Sequence, residues 1–334
     1  MTVIPGDFDE PIERQRRPGG PVFTWFLALL ATLFAGLALW RLVGSGLFGW
    51  DGFELTAVTL ALTPYVAAGG VLLTLFIAVF RRWGSAVVVF ALTAALGLTL
   101  LPRYIGDAQP GTGGPILRVL AVNMYFGEAD PAAIVAVARA RAVDVVALSE
   151  MTPAAAAGLE QAGLSELLPH QHFQAAYGAS GSGIASRYPL RPVDLVGPTT
   201  FQQPNAALDV GGRAVEVVAV HSLPPVTRYA AWASDLRSLP RTDKQGAIRV
   251  LAGDFNASLD HAEFRRLLDL GYVDAADQLG MGLVATWPQR RSAPPVTLDH
   301  VLVDSRAAVR GFRVVDISGS DHLAVLATLQ LPAP

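Results

Sequence analysis

Three long stretches without a charged residue fall within the first 101 positions, and they constrain this chain more than any other feature. They run from Pro21 to Trp40, from Leu55 to Phe80 and from Gly84 to Leu101. Twenty residues make a helix of about 30 Å, the thickness of a bilayer's hydrocarbon core. In hydrocarbon a lone segment can satisfy its backbone only as a helix. One such stretch would fit a buried core helix, but three in series with no charge on any face do not. A cleaved signal peptide fits less well, because the first stretch is too long and starts after a polar tail. Pro64 and Gly69-Gly70 are the expected places for a kink in the second stretch.

The arginines set the expected orientation. Arg14, Arg16 and Arg17 precede the first stretch, Arg81 and Arg82 sit between the second and third, and the 42–54 connection carries Asp51 and Glu54. The positive-inside rule then predicts a cytoplasmic tail over 1–20 and three transmembrane helices within 21–102, at about 21–40, 55–80 and 84–101. Everything after Leu101 is expected outside the cytoplasm, with Arg103 as the one opposing signal. The Gly/Pro-rich stretch 103–115 reads as a linker.

From 116 to 332 the pattern becomes short apolar β-type runs alternating with helical stretches, which predicts one α/β domain. Expected strands include Leu117–Val122, Val143–Leu148, Gly183–Ser186, Ala214–Val220, Arg249–Ala252, Thr297–Val303 and Ala324–Leu331. Expected helices are Pro131–Ala142, with Asp130 as its N-cap, Arg228–Leu239 and Ala262–Leu270. Residues 105–334 hold eighteen Lys and Arg against twenty-two Asp and Glu, so no general basic surface is available for a nucleic-acid backbone. The absence of cysteine excludes disulfides, thiolate zinc sites and cysteine nucleophiles. Gly178-Ala-Ser-Gly-Ser-Gly183 lacks the Lys of a phosphate loop and precedes a strand. Ser182 and Ser186 lack a nucleophile elbow.

Polar residues gather where the predicted strands end. Asn123, Glu150, His221, Asp254 with Asn256, and Asp299 with His300 each follow an apolar run, and Asp321-His322 precedes the last one. Asp254 and Asn256, at i and i+2 on an extended chain, point to one rim. An acid that activates water beside an amide that steadies an oxyanion, with an acid–imidazole pair downstream, points to a metal-assisted phosphoesterase. His170, His172 and His261 read as solvated side chains. Trp232 and Trp287 fit either a groove or the core.

The blocks Val119-Leu-Ala-Val-Asn123, Asp144-Val-Val-Ala-Leu-Ser-Glu150, Gly183-Ile-Ala-Ser-Arg-Tyr-Pro189, Val218-Ala-Val-His221-Ser222, Gly253-Asp-Phe-Asn256, Thr297-Leu-Asp299-His300 and Ser320-Asp321-His322 occur in the order found in a known superfamily. From about Ile116 to Leu331 the chain resembles the endonuclease/exonuclease/phosphatase superfamily, which includes deoxyribonucleases, abasic-site endonucleases, neutral sphingomyelinases and inositol polyphosphate 5-phosphatases. The resemblance implies a four-layer sandwich of two mixed β-sheets flanked by helices. It also implies Glu150 as principal ligand of a divalent cation, with Asn123 adjacent and Asp321 completing the site. Oxygen donors without cysteine favour Mg²⁺ or Mn²⁺. By the same resemblance Asp254 aligns and deprotonates water, and Asn256 holds it or a phosphoryl oxygen. His322, oriented by Asp299, contacts the scissile phosphate, and His221 is a second imidazole facing it.

The substrate is thus expected to be a phosphate ester of nucleic acid, of a nucleotide or of a phospholipid headgroup. The cleavage type stays open among nuclease, phosphomonoesterase and sphingomyelinase-like lipid phosphodiesterase. A membrane-anchored binding module with a degenerate site is the non-enzymatic alternative. Nothing in the sequence specifies a protein partner.

Overall fold

A computed structural model describes residues 20–289 and 293–333. The first helix, α1 (Pro21–Leu39), continues as a π-helical segment through Ser45. It is followed by α2 (Glu54–Ala61), α3 (Thr63–Val79) and α4 (Trp83–Leu100), which ends in a 3₁₀ turn, Leu101–Tyr104. Pro21–Ser45 and Trp83–Tyr104 are each long and apolar enough to cross a membrane. The α2 and α3 pair meets the same test only jointly, because it is bent by 71°.

The bend falls at Leu62, where the chain approaches Pro64, whereas Gly69 and Gly70 stay helical inside α3. Gly70 serves packing instead of bending. A Cβ there would lie 2.3 Å from Thr93 Oγ1 and 2.6 Å from the Phe34 ring, so only glycine lets these helices approach. The seam also buries Leu27, Ile77, Val89 and Leu96. The outward faces stay apolar, with Trp25 75% and Leu72 69% exposed. Arg14, Arg16 and Arg17 lie outside the described residues.

The expected 103–115 linker is instead strapped to the α/β domain. The Asp107 N–H donates to the Gln278 carbonyl at 3.0 Å and the Gly114 N–H to the Leu331 carbonyl at 3.1 Å. The domain then unfolds in chain order as β1 (Ile116–Asn123), α5 (Pro131–Ala140), β2 (Val145–Ser149), α6 (Pro153–Gln161), α7 (Leu164–Leu167), β3 (His170–Gln174), β4 (Ser182–Ser186), β5 (Arg191–Pro192), β6 (Asn205–Val210) and β7 (Arg213–His221). It continues with α8 (Tyr229–Arg237), β8 (Ile248–Asp254), α9 (Ala262–Asp269), β9 (Tyr272–Asp274), β10 (Asp299–Asp304), β11 (Ala308–Val315) and β12 (Ala324–Gln330). The Asp130 carboxylate accepts the Ala132 N–H at the start of α5, and Thr152 Oγ1 accepts that of Ala155 in α6.

One sheet has the order β11-β12-β1-β2-β4-β3, the other β5-β6-β7-β8-β10-β9. Each is mixed, with a single parallel pair at its centre: β1 with β2, and β7 with β8. The inward faces of the two sheets share a core that includes Leu117, Val145, Val217, Val250 and Val301. On the outer face of the first sheet Ile134, Leu159 and Leu164 pack against Leu120 and Leu148. On the second, Trp232, Leu236, Phe264 and Leu267 cover Val218 and Leu251. The result is the expected four-layer sandwich, and its paired central strands end at a common rim.

Candidate active site

Strand register assembles the site. The parallel β7/β8 pair sets His221 beside Asp254, and the antiparallel β8/β10 pair sets Asp254 beside Asp299. In the other sheet Asn123 lies opposite Ser149, one residue before Glu150. Gly253 makes the β8 end possible. A Cβ on it would stand 2.0 Å from the Val220 carbonyl oxygen, and its φ of +148° is unfavourable for other residues.

Asp254 is the hub of the site. Its Oδ2 accepts from Asn123 Nδ2 at 3.1 Å and Asn256 Nδ2 at 3.3 Å, while Oδ1 accepts the Asn256 N–H at 2.8 Å. Asn123 also donates to Glu150 Oε1 at 3.1 Å, and the Phe126 N–H donates to Glu150 Oε2 at 2.8 Å. His322 Nδ1 bonds Asp299 Oδ2 at 2.8 Å. Its Nε2 is 3.8 Å from Asp254 and 3.9 Å from Asp321, which is ion-pair range but beyond a hydrogen bond. Ser320 Oγ donates to the Asn123 carbonyl and accepts the His322 N–H, tying the last motif to the first. Asp321 is held by Trp287 Nε1 at 3.0 Å, so Trp287 lines the site while Trp232 is core.

Thus all eight residues singled out for chemistry, Asn123, Glu150, His221, Asp254, Asn256, Asp299, Asp321 and His322, belong to this one cluster. His221 Nε2 lies 3.8 Å from Glu150 and 3.9 Å from Asp254. It is buried beneath Phe201, whose ring stacks on it at 4.7 Å. His300 turns to the opposite face of β10, bonding Asp274 at 2.7 Å and the Ala257 carbonyl at 2.9 Å. His261 is buried too, contrary to its reading as a solvated side chain. Four non-glycine residues at this rim, Tyr125, Phe126, Glu150 and Asn256, have φ between 46° and 56°. Left-handed backbone of this kind is costly and concentrates at functional sites.

The electrostatics are one-sided. Four carboxylates, Glu150, Asp254, Asp299 and Asp321, share the cluster with two imidazoles. Burial pushes His221 down to about 4, so it is neutral. Burial also works against charge on His322, but Asp299 and Asp254 overcome it and push the imidazole up to about 10, so it is a cation. Burial raises Glu150, and it raises Asp254 despite the neighbouring His322. A divalent cation among these oxygens would reverse that penalty, and the donor set suits a hard one. Two groupings of ligands compete. Asp254, Asp299 and His322 have donor atoms within 4.8 Å of one another. In that trio, however, Asp299 and His322 already bond each other, which reads better as an oriented imidazole than as a cage. The other grouping is the one the sequence resemblance implies, Glu150 with Asn123 and Asp321, in which the Asn123 amide donates to Glu150 and its Oδ1 accepts the Tyr125 N–H at 2.8 Å.

Residues 120–322 match the Endonuclease/Exonuclease/phosphatase family. Among solved structures, an endonuclease/exonuclease/phosphatase from Beutenbergia cavernae is 22% identical, with 65% of this chain and 72% of that chain covered and a TM-score of 0.51. A family protein from Leptotrichia buccalis is 14% identical, covering 64% of this chain and all of that one, also with a TM-score of 0.51. Humanized D. rerio TDP2 is 18% identical over 64% of this chain and 98% of that one, with a TM-score of 0.51. No curated protein matches the chain. Members of the matched family hydrolyse phosphate esters and depend on a divalent metal. With the family's motifs spread over more than half of its length and its two-sheet fold in place, the chain belongs to the endonuclease/exonuclease/phosphatase family.

Proposed function

We propose that the protein is a divalent-metal-dependent phosphodiesterase whose catalytic domain, residues 116–332, is anchored in a membrane by the helices of 21–102. The observation that carries this reading is Asp254, buried, whose Oδ2 accepts from Asn123 and Asn256 and lies 3.8 Å from the cationic His322. Asp254, raised by burial, is suited to take a proton from an attacking water. The Asn256 side chain donates to the Ser222 carbonyl at 3.0 Å and to Asp254, which fixes its amide beside that carboxylate. His322, protonated and held by Asp299, presents Nε2–H to a phosphoryl oxygen where negative charge builds. Glu150, Asn123 and Asp321 would hold the metal, Mg²⁺ or Mn²⁺, which supplies charge neutralisation to the phosphate and its leaving oxygen. His221, neutral under Phe201, lies within 3.9 Å of both Glu150 and Asp254 and adds no charge to the site.

The acidic balance of the domain supports a small phosphodiester, a nucleotide or a lipid headgroup over long duplex DNA. The two long apolar helices and the bent pair support a multi-pass anchor, and the arginine placement supports a domain facing outward. Two experiments test the reading. Glu150→Gln should abolish metal-dependent hydrolysis of bis-p-nitrophenyl phosphate in a folded protein, and undiminished turnover in that variant or in EDTA would refute it. A reporter fused at residue 110 that needs export to work should be active, and one active only in the cytoplasm would reverse the orientation.

A further inference from the structure

The loop after β8 begins at Asp254 and ends against the apolar helices. Asp260, near its end, is 1% exposed and accepts two hydrogen bonds from Arg103, both at 2.8 Å, and one from Arg41 Nε at 2.6 Å. Arg41 lies in the π-helical end of α1 and Arg103 in the turn after α4, so the first and last helices converge on one carboxylate. Asp51, from the connection between α1 and α2, reaches the other way. Its two oxygens accept the N–H groups of Ala262 at 2.7 Å and Glu263 at 3.0 Å, capping α9 from a distant part of the chain. His261 Nδ1 accepts the Ser258 N–H at 2.9 Å, which leaves Nε2–H to donate to the Ala57 carbonyl at 2.8 Å.

A tether needs none of this. Buried charges are costly to desolvate, and a buried ion pair contributes little net stability against an apolar replacement. In some proteins such a cluster instead fixes the register between the pieces it joins. Here the pieces are the helix ends and a loop in which only three residues separate Asn256 from Asp260. Two further contacts reach the same helices: Tyr65 donates to the Pro295 carbonyl at 2.7 Å, and Leu283 packs among the helical side chains.

We propose that Asp260 is a positioning residue: by binding Arg41 and Arg103 it locks the helical region to the 254–261 loop and holds Asp254 and Asn256 in their working geometry. The proposal rests on the reading of those two residues given above. It makes the helices a structural part of the catalytic site as well as an anchor.

The test uses the full chain in detergent micelles, comparing wild type with Asp260→Asn, which keeps shape and removes charge. Kinetics with Mn²⁺ and bis-p-nitrophenyl phosphate are read beside amide hydrogen exchange. The expected result is a kcat lower by about tenfold with KM within about twofold. Exchange over 254–263 should quicken by about tenfold or more while β12 stays unchanged. Exchange and kcat both at wild-type values would overturn the proposal. So would faster exchange with unchanged kcat, because that reduces Asp260 to a structural role. Should Asp260→Asn not accumulate, Arg41→Gln, which removes one of the two partners, is read by the same criteria. A wild type that turns over no phosphodiester refutes the reading of the site, while unchanged exchange over 254–263 in the variant separately refutes the clamp.

Discussion

Two histidine–carboxylate pairs meet back to back on β10, with nearly equal geometry and opposite surroundings. His322 bonds Asp299 at 2.8 Å on the rim side, and His300 bonds Asp274 at 2.7 Å on the other. Asp299 and His300 are neighbours in the strand, so the pleat alone sends them to different faces. Both imidazoles are buried and both are raised by their carboxylates against the opposing effect of burial. They differ in what the second ring nitrogen meets. For His300 it is the Ala257 carbonyl, a satisfied bond that pins the loop after β8 from beneath. For His322 it is the carboxylates of Asp254 and Asp321 at distances too long to bond. A histidine–aspartate pair is thus not a site by itself; the environment of the remaining nitrogen decides.

Breaking the two pairs should therefore damage different properties. His322→Ala should lower kcat by about a hundredfold or more with little change in KM. Steady-state kinetics would check this. Asp274→Asn should instead cost about 2 kcal/mol of folding stability, because it leaves a buried imidazole without its carboxylate. Its kcat should fall far less than that of His322→Ala, and denaturant titration reads the loss. Asp299→Asn is expected between these, lowering kcat by about tenfold through misorientation of His322.

The smallest expected effect is a pH dependence that belongs to His300. Its folded pKa lies above the ordinary 6.5, so its contribution to stability is fully present below that value and fades as pH rises through the folded value. Stability measured from pH 6 upward should therefore decline more steeply in wild type than in Asp274→Asn. Equal slopes would remove the charge from the His300 pair and weaken the contrast with His322.

Sequence alone carried the rim further than the edges. Asp254 and Glu150 were legible because they stand at the ends of fully buried strands, with Asn256 two residues beyond Asp254, and such strands sit at the centre of a sheet where burial enforces a mainly apolar pattern. The edge strand β3, His-Gln-His-Phe-Gln, is half-buried throughout and carries no alternation to read. β11 was hidden in the same way by exposed arginines and a register shift between Val309 and Gly311. His300 looked like a site residue from its neighbour Asp299. Only strand pairing with β9, which brings Asp274 alongside, reveals its structural duty. His261 and Asp260 were missed because their partners, Ala57, Arg41 and Arg103, are more than 150 residues away, where no local spacing can point.

The central claim is that buried Asp254 activates water for metal-dependent phosphodiester hydrolysis. Single-turnover hydrolysis of bis-p-nitrophenyl phosphate by the full-length protein, in EDTA, Mg²⁺ and Mn²⁺, tests it most directly when wild type is set beside Asp254→Asn. The expected result is cleavage by the wild type only with metal, and a rate constant lower by about a hundredfold or more in the variant at unchanged substrate affinity. Equal rates in the two proteins, or cleavage that persists in EDTA, would contradict it.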